Sequence, residues 1–460
     1  MMTLDLTLVI PARNEAENLR QLLPKLHRAA RGLGASYEIL VVDGHSTDDT
    51  AAAARDLGAM AVGQSQPGYG GALLEGFRRA RGRYIVTLDA DLSHEPDFLH
   101  KLWAHRDEAE LIIASRYVRG GVAYMPLFRK VLSRVLNRLF TWGLAMDVRD
   151  ISSGFRLYRA EMIKQLPLHG VLFDILPEIA VRAHIDGWRI LEVPFTYYPR
   201  VAGSSQARII RVGVHLMKTF RRLWGLRSSI AAADYDERAF YSRIPLQRYW
   251  HRKRHEIITS FAREGGRTLD VGCGSSVILQ SLNHAIGLEI RHVKMRYMRR
   301  YGMPLVTGSV LALPFKDQSM DCVICSEVIE HLPAGPEIFQ ELDRVLRPGG
   351  WLILGTPDYG SWKWPTIEWF YGTLAPWAYA CEHMSHFTRD GLTRILEAMG
   401  YEAIRMRDIL GSDLFVAAKK SGRPFTLDAI RPWLPATTRS AFAPSRARAR
   451  AAAPSARSIR

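Results

Sequence analysis

Apolar residues in this chain fall into short unbroken runs, separated by longer stretches in which they recur every three or four positions. Residues 4–10, 37–42, 84–88 and 111–114 are runs of strand length, and residues 15–30 between them carry the spacing of an amphipathic helix. A second series follows, with strand-like runs at 268–271, 284–288, 320–325 and 351–354. Alternating strand and helix signals of this kind predict a parallel α/β sheet, here twice over. The pattern divides the chain into a first domain over residues 1–225, a structured linker over 226–249 and a second domain over 250–418. Residues 432–460 turn to Ala, Arg, Pro and Ser without an acidic residue, the composition of a disordered basic tail.

Two helical stretches carry more apolar surface than their charge suggests. Over residues 126–146, Leu127, Phe128, Val131, Leu132, Val135, Leu136, Leu139 and Phe140 recur at helical spacing, punctuated by Arg129, Arg134 and Arg138. Residues 209–224 repeat the design. Such helices either pack on their own domain or lie in a membrane interface.

Composition narrows the setting. A chain of 460 residues exceeds one ordinary core, and 47% apolar with 23% charged residues is a globular balance. No apolar run reaches the roughly 18 residues of a spanning helix. The chain enters its first strand without a basic leader, and its four cysteines suit a reducing compartment, so a cytoplasmic enzyme is expected. Cys322 and Cys325 form a CxxC inside a strand-like run, where alternation sends the two thiols to opposite faces. Buried apolar thiols are therefore expected rather than zinc or redox chemistry. A net charge of +16 calls for an acidic partner. No nucleic-acid-binding pattern accompanies it, so a phospholipid surface is expected and nucleic acid is not.

Two strings carry the chemistry. LDADLSH (88–94) puts Asp89 and Asp91 just past a buried strand, where alternate carboxylates can hold a divalent ion against a diphosphate. LDVGCGSS (269–276) closes another strand with a glycine turn, the place where a parallel sheet receives a nucleotide-like ligand. Gly272 and Gly274 permit close backbone approach, and Glu289, ending the next strand, can accept two ribose hydroxyls. A glycine loop alone could also open a nicotinamide site, but the third glycine of that fingerprint is absent.

Taken in order, IPARNEAENL (10–19), VVDGHSTDDT (41–50), LDADLSH, SRYVRGG (115–121), DISSGFRLYR (150–159) and YYPRVAGSSQ (197–206) resemble family 2 GT-A glycosyltransferases, more narrowly the dolichol-phosphate mannose synthase group. The resemblance implies a GT-A nucleotide-sugar-binding domain. It assigns Pro11, Glu15 and Asp43 to the nucleoside, Asp89 and Asp91 to Mg2+ or Mn2+, Arg200 to the diphosphate, and Arg116, Arg129 and Ser133 to the acceptor phosphate. It implies a nucleotide sugar donor, GDP-mannose ahead of UDP-glucose, and a polyprenyl phosphate acceptor at the inner face of a membrane. Gln206 stands where the group commonly has lysine, with Arg208 near enough in sequence to substitute, and Ser93 replaces a glutamine.

TLDVGCGSS, GLEI (287–290), VTGSVLALPF (306–315), EVIEHL (327–332) and RPGG (347–350) resemble class I S-adenosylmethionine-dependent methyltransferases, which implies a Rossmann-like second domain. The resemblance adds Asp270 beside the glycine loop and Ser309 with Val310 at the adenine, Ser309 standing where aspartate is usual. Glu327, His331, His383 and His386 fall to the methyl-acceptor side, for a small-molecule or glycolipid acceptor. His383 and His386 are three apart with no further ligand cluster evident in the sequence, so they are expected to shape the acceptor site rather than bind metal. The other readings are a second half that only senses or scaffolds, and a nucleic-acid binder.

Overall fold

The computed structural model describes residues 4–199, 209–262, 266–374 and 383–436. They form two compact units, Met1–Arg227 and Ser228–Arg460.

The first unit is built on strands β1 (Leu6–Ala12), β2 (Tyr37–Asp43), β3 (Met60–Gly63), β4 (Tyr84–Thr87), β5 (Leu111–Ser115), β6 (Val122–Ala123), β7 (Arg156–Arg159), β8 (Ile190–Pro194) and β9 (Thr196–Tyr197). Seven of them make one sheet in the order β3-β2-β1-β4-β7-β5-β8, and β6 pairs with β9 apart from it. Alternation along β1 sends Leu8 and Ile10 to one buried face and Val9 to the other, so both faces of the sheet are covered. The parallel sheet expected from the sequence is interrupted once, because β7 runs antiparallel to both β4 and β5.

The second unit adds β10 (Thr268–Val271), β11 (Ala285–Glu289), β12 (Leu305–Thr307), β13 (Met320–Ser326), β14 (Leu346–Pro357), β15 (Tyr401–Ile409) and β16 (Asp413–Lys420). Its sheet order is β12-β11-β10-β13-β14-β16-β15, with β16 antiparallel to its neighbours β14 and β15. Cys325 lies in one core of this unit and Cys322 in the other, the two-faced placement that strand alternation predicts. Cys273, Cys322 and Cys325 are free buried thiols.

Two boundaries differ from those read in the sequence. The expected linker contains the helix Tyr235–Phe240 and supplies Asp236 to the second unit's glycine loop. Trp433 and Leu434, assigned to the tail, still make contacts: Arg394 lies over the Trp433 ring at 4.5 Å, and Leu434, partly buried, packs against the core. Residues 437–460 lie outside the described residues.

Candidate active sites

In each unit the sheet order reverses beside one strand, β1 in the first and β10 in the second, and the loops leaving that point lie at the carboxyl ends of the strands, where open α/β sheets commonly receive ligands. The sequence places its motifs there. In the first unit β1 and β2 end in register, Ala12 opposite Asp43, which brings the loops after Pro11 and Asp43 side by side. Asn14 joins them, accepting from the Thr47 N–H at 2.8 Å, and the Glu15 N–H donates to the Thr50 hydroxyl at 2.9 Å. The Asp43 carboxylate accepts from the Ser46 N–H at 3.2 Å.

LDADLSH follows β4 as a tight loop with Leu92 at φ 61°. Asp91 is almost buried and accepts from the N–H and hydroxyl of Ser93, at 3.1 and 2.5 Å. Ser93 thus serves Asp91 here. His94 stacks on Phe155, and its Nδ1 accepts the Asp89 N–H at 3.0 Å. That hydrogen bond puts the ring proton on Nε2, which lies 3.8 Å from the Asp89 carboxylate. Tyr69 donates to Asp89 at 3.1 Å; burial, and then the Asp89 charge, push its phenol well above the usual value, so it stays a donor.

The segment before β7 closes over this loop. A Cβ on Gly154 would meet the Tyr69 hydroxyl at 2.7 Å and an Asp89 oxygen at 3.4 Å, so only glycine fits. Arg156, fully buried, donates to the Ser153 carbonyl at 2.7 Å and the Leu176 carbonyl at 2.8 Å, which holds the turn in place. Arg116 grips Asp150 with two hydrogen bonds, at 2.8 and 2.7 Å, and donates to Ser152 at 2.8 Å. Burial opposes the Arg116 charge, but Asp150 outweighs it and raises the pKa. Ser152 in turn accepts from Asn137 at 3.1 Å and lies 3.5 Å from the Ser133 hydroxyl. Arg116 and Ser133 therefore share one network, whereas Arg129 is exposed on the same helix as Ser133. Arg200, Gln206 and Arg208 lie outside the described residues.

That helix, Leu127–Gly143, buries only Asn137 and Phe140. Leu127 is 76% exposed, Phe128 68% and Trp142 64%, so the alternative in which the stripe packs on its own domain fails along most of its length. The helix Ile209–Ser228 is split between the two alternatives: Leu216 and Leu223 are buried while Val214, Met217 and Trp224 are exposed.

In the second unit Gly272 and Gly274 both take positive φ, 68° and 56°, which favours glycine. A Cβ at Gly272 would strike Val328 at 2.4 Å, and one at Gly274 would strike Asp236 at 2.6 Å. Glu289 accepts from the Gly274 N–H at 3.0 Å and from the Ile290 and Arg291 N–H groups at 2.9 Å, tying the end of β11 to the glycine loop. Asp236 accepts from Ser275 at 3.0 Å and pairs with Lys294 at 2.8 Å. Burial opposes its charge, yet Lys294 and Arg254 hold its carboxyl below the usual range. Asp270 is less well supported: one oxygen is buried without a hydrogen-bond partner among the described residues, and burial outweighs the Arg254 charge and pushes its pKa up to about 7. Ser309 accepts from the Leu311 N–H at 3.2 Å, and Val310 is buried.

The acceptor-side residues converge. The Glu330 carbonyl accepts the Met384 and Ser385 N–H groups at 2.7 and 3.1 Å, which brings the His331 and His383 rings to 4.9 Å. Tyr359 lies 2.8 Å from His383 Nδ1 and stacks on His386 at 3.8 Å. Burial, then the neighbouring His331 and His386, lower the His383 pKa to about 3. Glu327 adopts φ 59° and has one buried oxygen without a partner among the described residues. Glu330 is fully buried and neither oxygen has a hydrogen-bond partner among the described residues; burial, then Glu327, raise its pKa well above the usual range. Sequence reasoning passed over Glu330, Asp236 and Asp150. The EVIEHL spacing, with carboxylates three apart and a histidine following, was the available signal for Glu330.

Comparison with known proteins agrees with this division. The family described as glycosyl transferase family 2 matches residues 7–166, and a family described as a methyltransferase domain matches residues 269–354. Dolichol-phosphate mannosyltransferase of Pyrococcus furiosus is 32% identical, over 47% of this chain and 63% of its own length. This chain thus spans less than two thirds of that relative. Polyprenol monophosphomannose synthase of Mycolicibacterium smegmatis is 34% identical, over 49% of this chain and 88% of its own. Among solved structures, glucosyl-3-phosphoglycerate synthase from Mycobacterium tuberculosis shares 19% identity at a TM-score of 0.39, over 48% of this chain and 80% of that one. The chain belongs to glycosyl transferase family 2 through its first unit and carries a methyltransferase domain in its second.

Proposed function

We propose that the first unit transfers a hexose, mannose from GDP-mannose, to a polyprenyl phosphate with inversion. The second would transfer a methyl group from S-adenosylmethionine to an acceptor of the same glycolipid or glycan pathway. One observation carries the lipid acceptor: Ser133 meets the turn that packs on Asp89, and it sits on a helix whose Leu127, Phe128 and Trp142 face outward among exposed arginines. An amphipathic helix of that composition suits a membrane interface holding anionic lipid. No described helix is long and apolar enough to cross a membrane, so contact at the inner face would be peripheral.

Each residue then has a task. Asp89 and Asp91, oriented by Tyr69 and Ser93, fit a divalent ion, Mg2+ or Mn2+, which would offset the diphosphate charge during transfer. Pro11, Glu15 and Asp43 would flank the nucleoside, and the resemblance assigns Arg200 to the diphosphate. Arg116 orders the Asp150 and Ser152 frame beneath Ser133, while exposed Arg129 meets the acceptor phosphate. That phosphate is ionised near neutral pH, so no general base is needed, and catalysis rests on positioning and charge.

In the second unit the two glycines let Val328 and Asp236 pack directly on the loop backbone, which fixes the turn at the end of β10. S-adenosylmethionine would supply an electrophilic methyl group there. Gly272 and Gly274 would pass its methionine part, Glu289 accept its ribose hydroxyls, Ser309 and Val310 flank its adenine, and Asp270 offer its unpartnered oxygen.

The test is to incubate the protein with polyprenyl phosphate, Mg2+ and GDP-mannose or UDP-glucose, with and without S-adenosylmethionine, and weigh the extracted lipid. A mannosyl lipid supports the first assignment; a hexosyl lipid formed only from UDP-glucose, or none at all, overturns it. A further methylene mass that depends on the methyl donor supports linked activities on one product.

A further inference from the structure

Glu330, His331 and His383 each offer a ligand atom within 4.8 Å of the others. This is not an ordinary surface cluster. Glu330 is 0% exposed, and neither carboxylate oxygen has a hydrogen-bond partner among the described residues, His331 Nε2 standing at 3.9 Å from one of them. Glu327 adds a second carboxylate with a buried oxygen in the same condition, close enough to act on Glu330 by charge. A buried acid normally recovers its lost hydration through donors or a cation.

The backbone is arranged to hold the group together. Glu327 sits in a left-handed conformation that a glutamate adopts at a cost. The Met384 and Ser385 N–H groups bind the Glu330 carbonyl, so the histidine segment is fastened to the carboxylate segment. Tyr359 fixes His383 through Nδ1 at 2.8 Å, and Trp364 stacks on the same ring, the outer support that metal-binding histidines commonly have.

We infer that Glu330, His331 and His383, with Glu327 beside them, form a divalent-cation site in the second unit, separate from Asp89 and Asp91. Imidazole and carboxylate ligands suit a first-row dication such as Mn2+ or Zn2+. This departs, for His383, from the expectation that His383 and His386 shape the acceptor site without binding metal. Resting on the methyltransferase reading, the site also specifies the acceptor: an alcohol, and best a pair of neighbouring hydroxyls as on a sugar, whose oxygens complete the coordination. The bound hydroxyl loses its proton to solvent and its oxygen forms the bond to the methyl carbon. The carbon–sulfur bond breaks with its electron pair remaining on sulfur, which leaves S-adenosylhomocysteine.

The experiment uses the full chain carrying Asp89→Ala and Asp91→Ala, so that the first unit's candidate ligands are gone. Mn2+ binding is followed by the electron paramagnetic resonance of free Mn2+, and S-adenosylmethionine binding by calorimetry. One Mn2+ per chain is expected, with affinity falling at least about tenfold on adding Glu330→Gln or, separately, His383→Gln. Thermal unfolding without metal shows that each variant is folded, and Glu330→Gln is the safer of the two because it replaces a buried carboxyl that makes no hydrogen bond among the described residues with an amide of the same shape. Absence of Mn2+ binding, or binding that neither substitution weakens, overturns the site. Mn2+ binding without S-adenosylmethionine binding would keep the site and sink the methyltransferase reading instead.

Discussion

Among the described residues, buried carboxylate oxygens without donors are concentrated in the second unit, although Asp236 and Glu289 there are well engaged. In the first, Asp91 accepts from Ser93, Asp89 from Tyr69, and Asp150 from Arg116, so each carboxylate has donors within the protein. In the second, Asp270, Glu327, Glu330 and Asp413 each keep at least one buried oxygen without a partner among the described residues. A carboxylate with donors is ready to stay charged. A buried one without them is held neutral or must wait for a ligand, and its burial is a standing cost to the fold. The first site is thus organised before its ligands arrive, whereas the second is relieved by what binds to it.

The comparison can be broken where its effects are largest. Asp91→Ala should lower hexose transfer by about a thousandfold or more while methyl transfer persists, measured separately on one preparation. Loss of both activities in a folded variant would end the division into two sites. Arg116→Ala should cost the first unit about 3–5 kcal/mol in denaturant melts, because Asp150 would be left charged and buried. A cost below about 1 kcal/mol would show the pair to be dispensable.

A finer test uses pH. Asp270 titrates near 7 in the fold against 3.8 for an ordinary aspartate. Its neutral form suits the buried site, so stability is full below the ordinary value and declines as pH rises through about 7. Asp270→Asn should flatten that decline and raise the unliganded unit's Tm by a few degrees above pH 7. An unchanged pH profile would mean that Asp270 finds compensation. The smallest effect concerns the surface: Phe128→Ser with Trp142→Ser should weaken flotation with anionic vesicles several-fold, yet shift stability by no more than about 0.5 kcal/mol. A clear loss of stability would mean that those rings pack on protein after all.

How much was legible follows from what local sequence encodes. β10 begins and ends where its apolar run does, and β4 ends within a residue of the run at 84–88. β7 and β16 could not be oriented in advance, since a short apolar run carries no direction and their partners are distant in sequence. Asp89 and Asp91 stood out because a strand end followed by alternate acids is a local pattern. Glu330 did not: glutamate is rarely buried, and its burial comes from segments that the sequence does not place beside it. Asp236 was hidden in a stretch rich in charge, which reads as linker until the glycine loop is seen against it.

From residue spacing alone follow two α/β units, the cysteines on opposite faces of β13, and the strand ends at which the two chemistries would sit. Those features depend on neighbours in the chain, through alternation and helical period. Tertiary structure alone decided that the stripe over Leu127–Gly143 faces outward, that Arg116 is engaged by Asp150, and that His383 meets Glu330 and His331. Each of these turns on which distant segments exclude water from a side chain, and burial of that kind is a property of the packed whole rather than of any window of sequence.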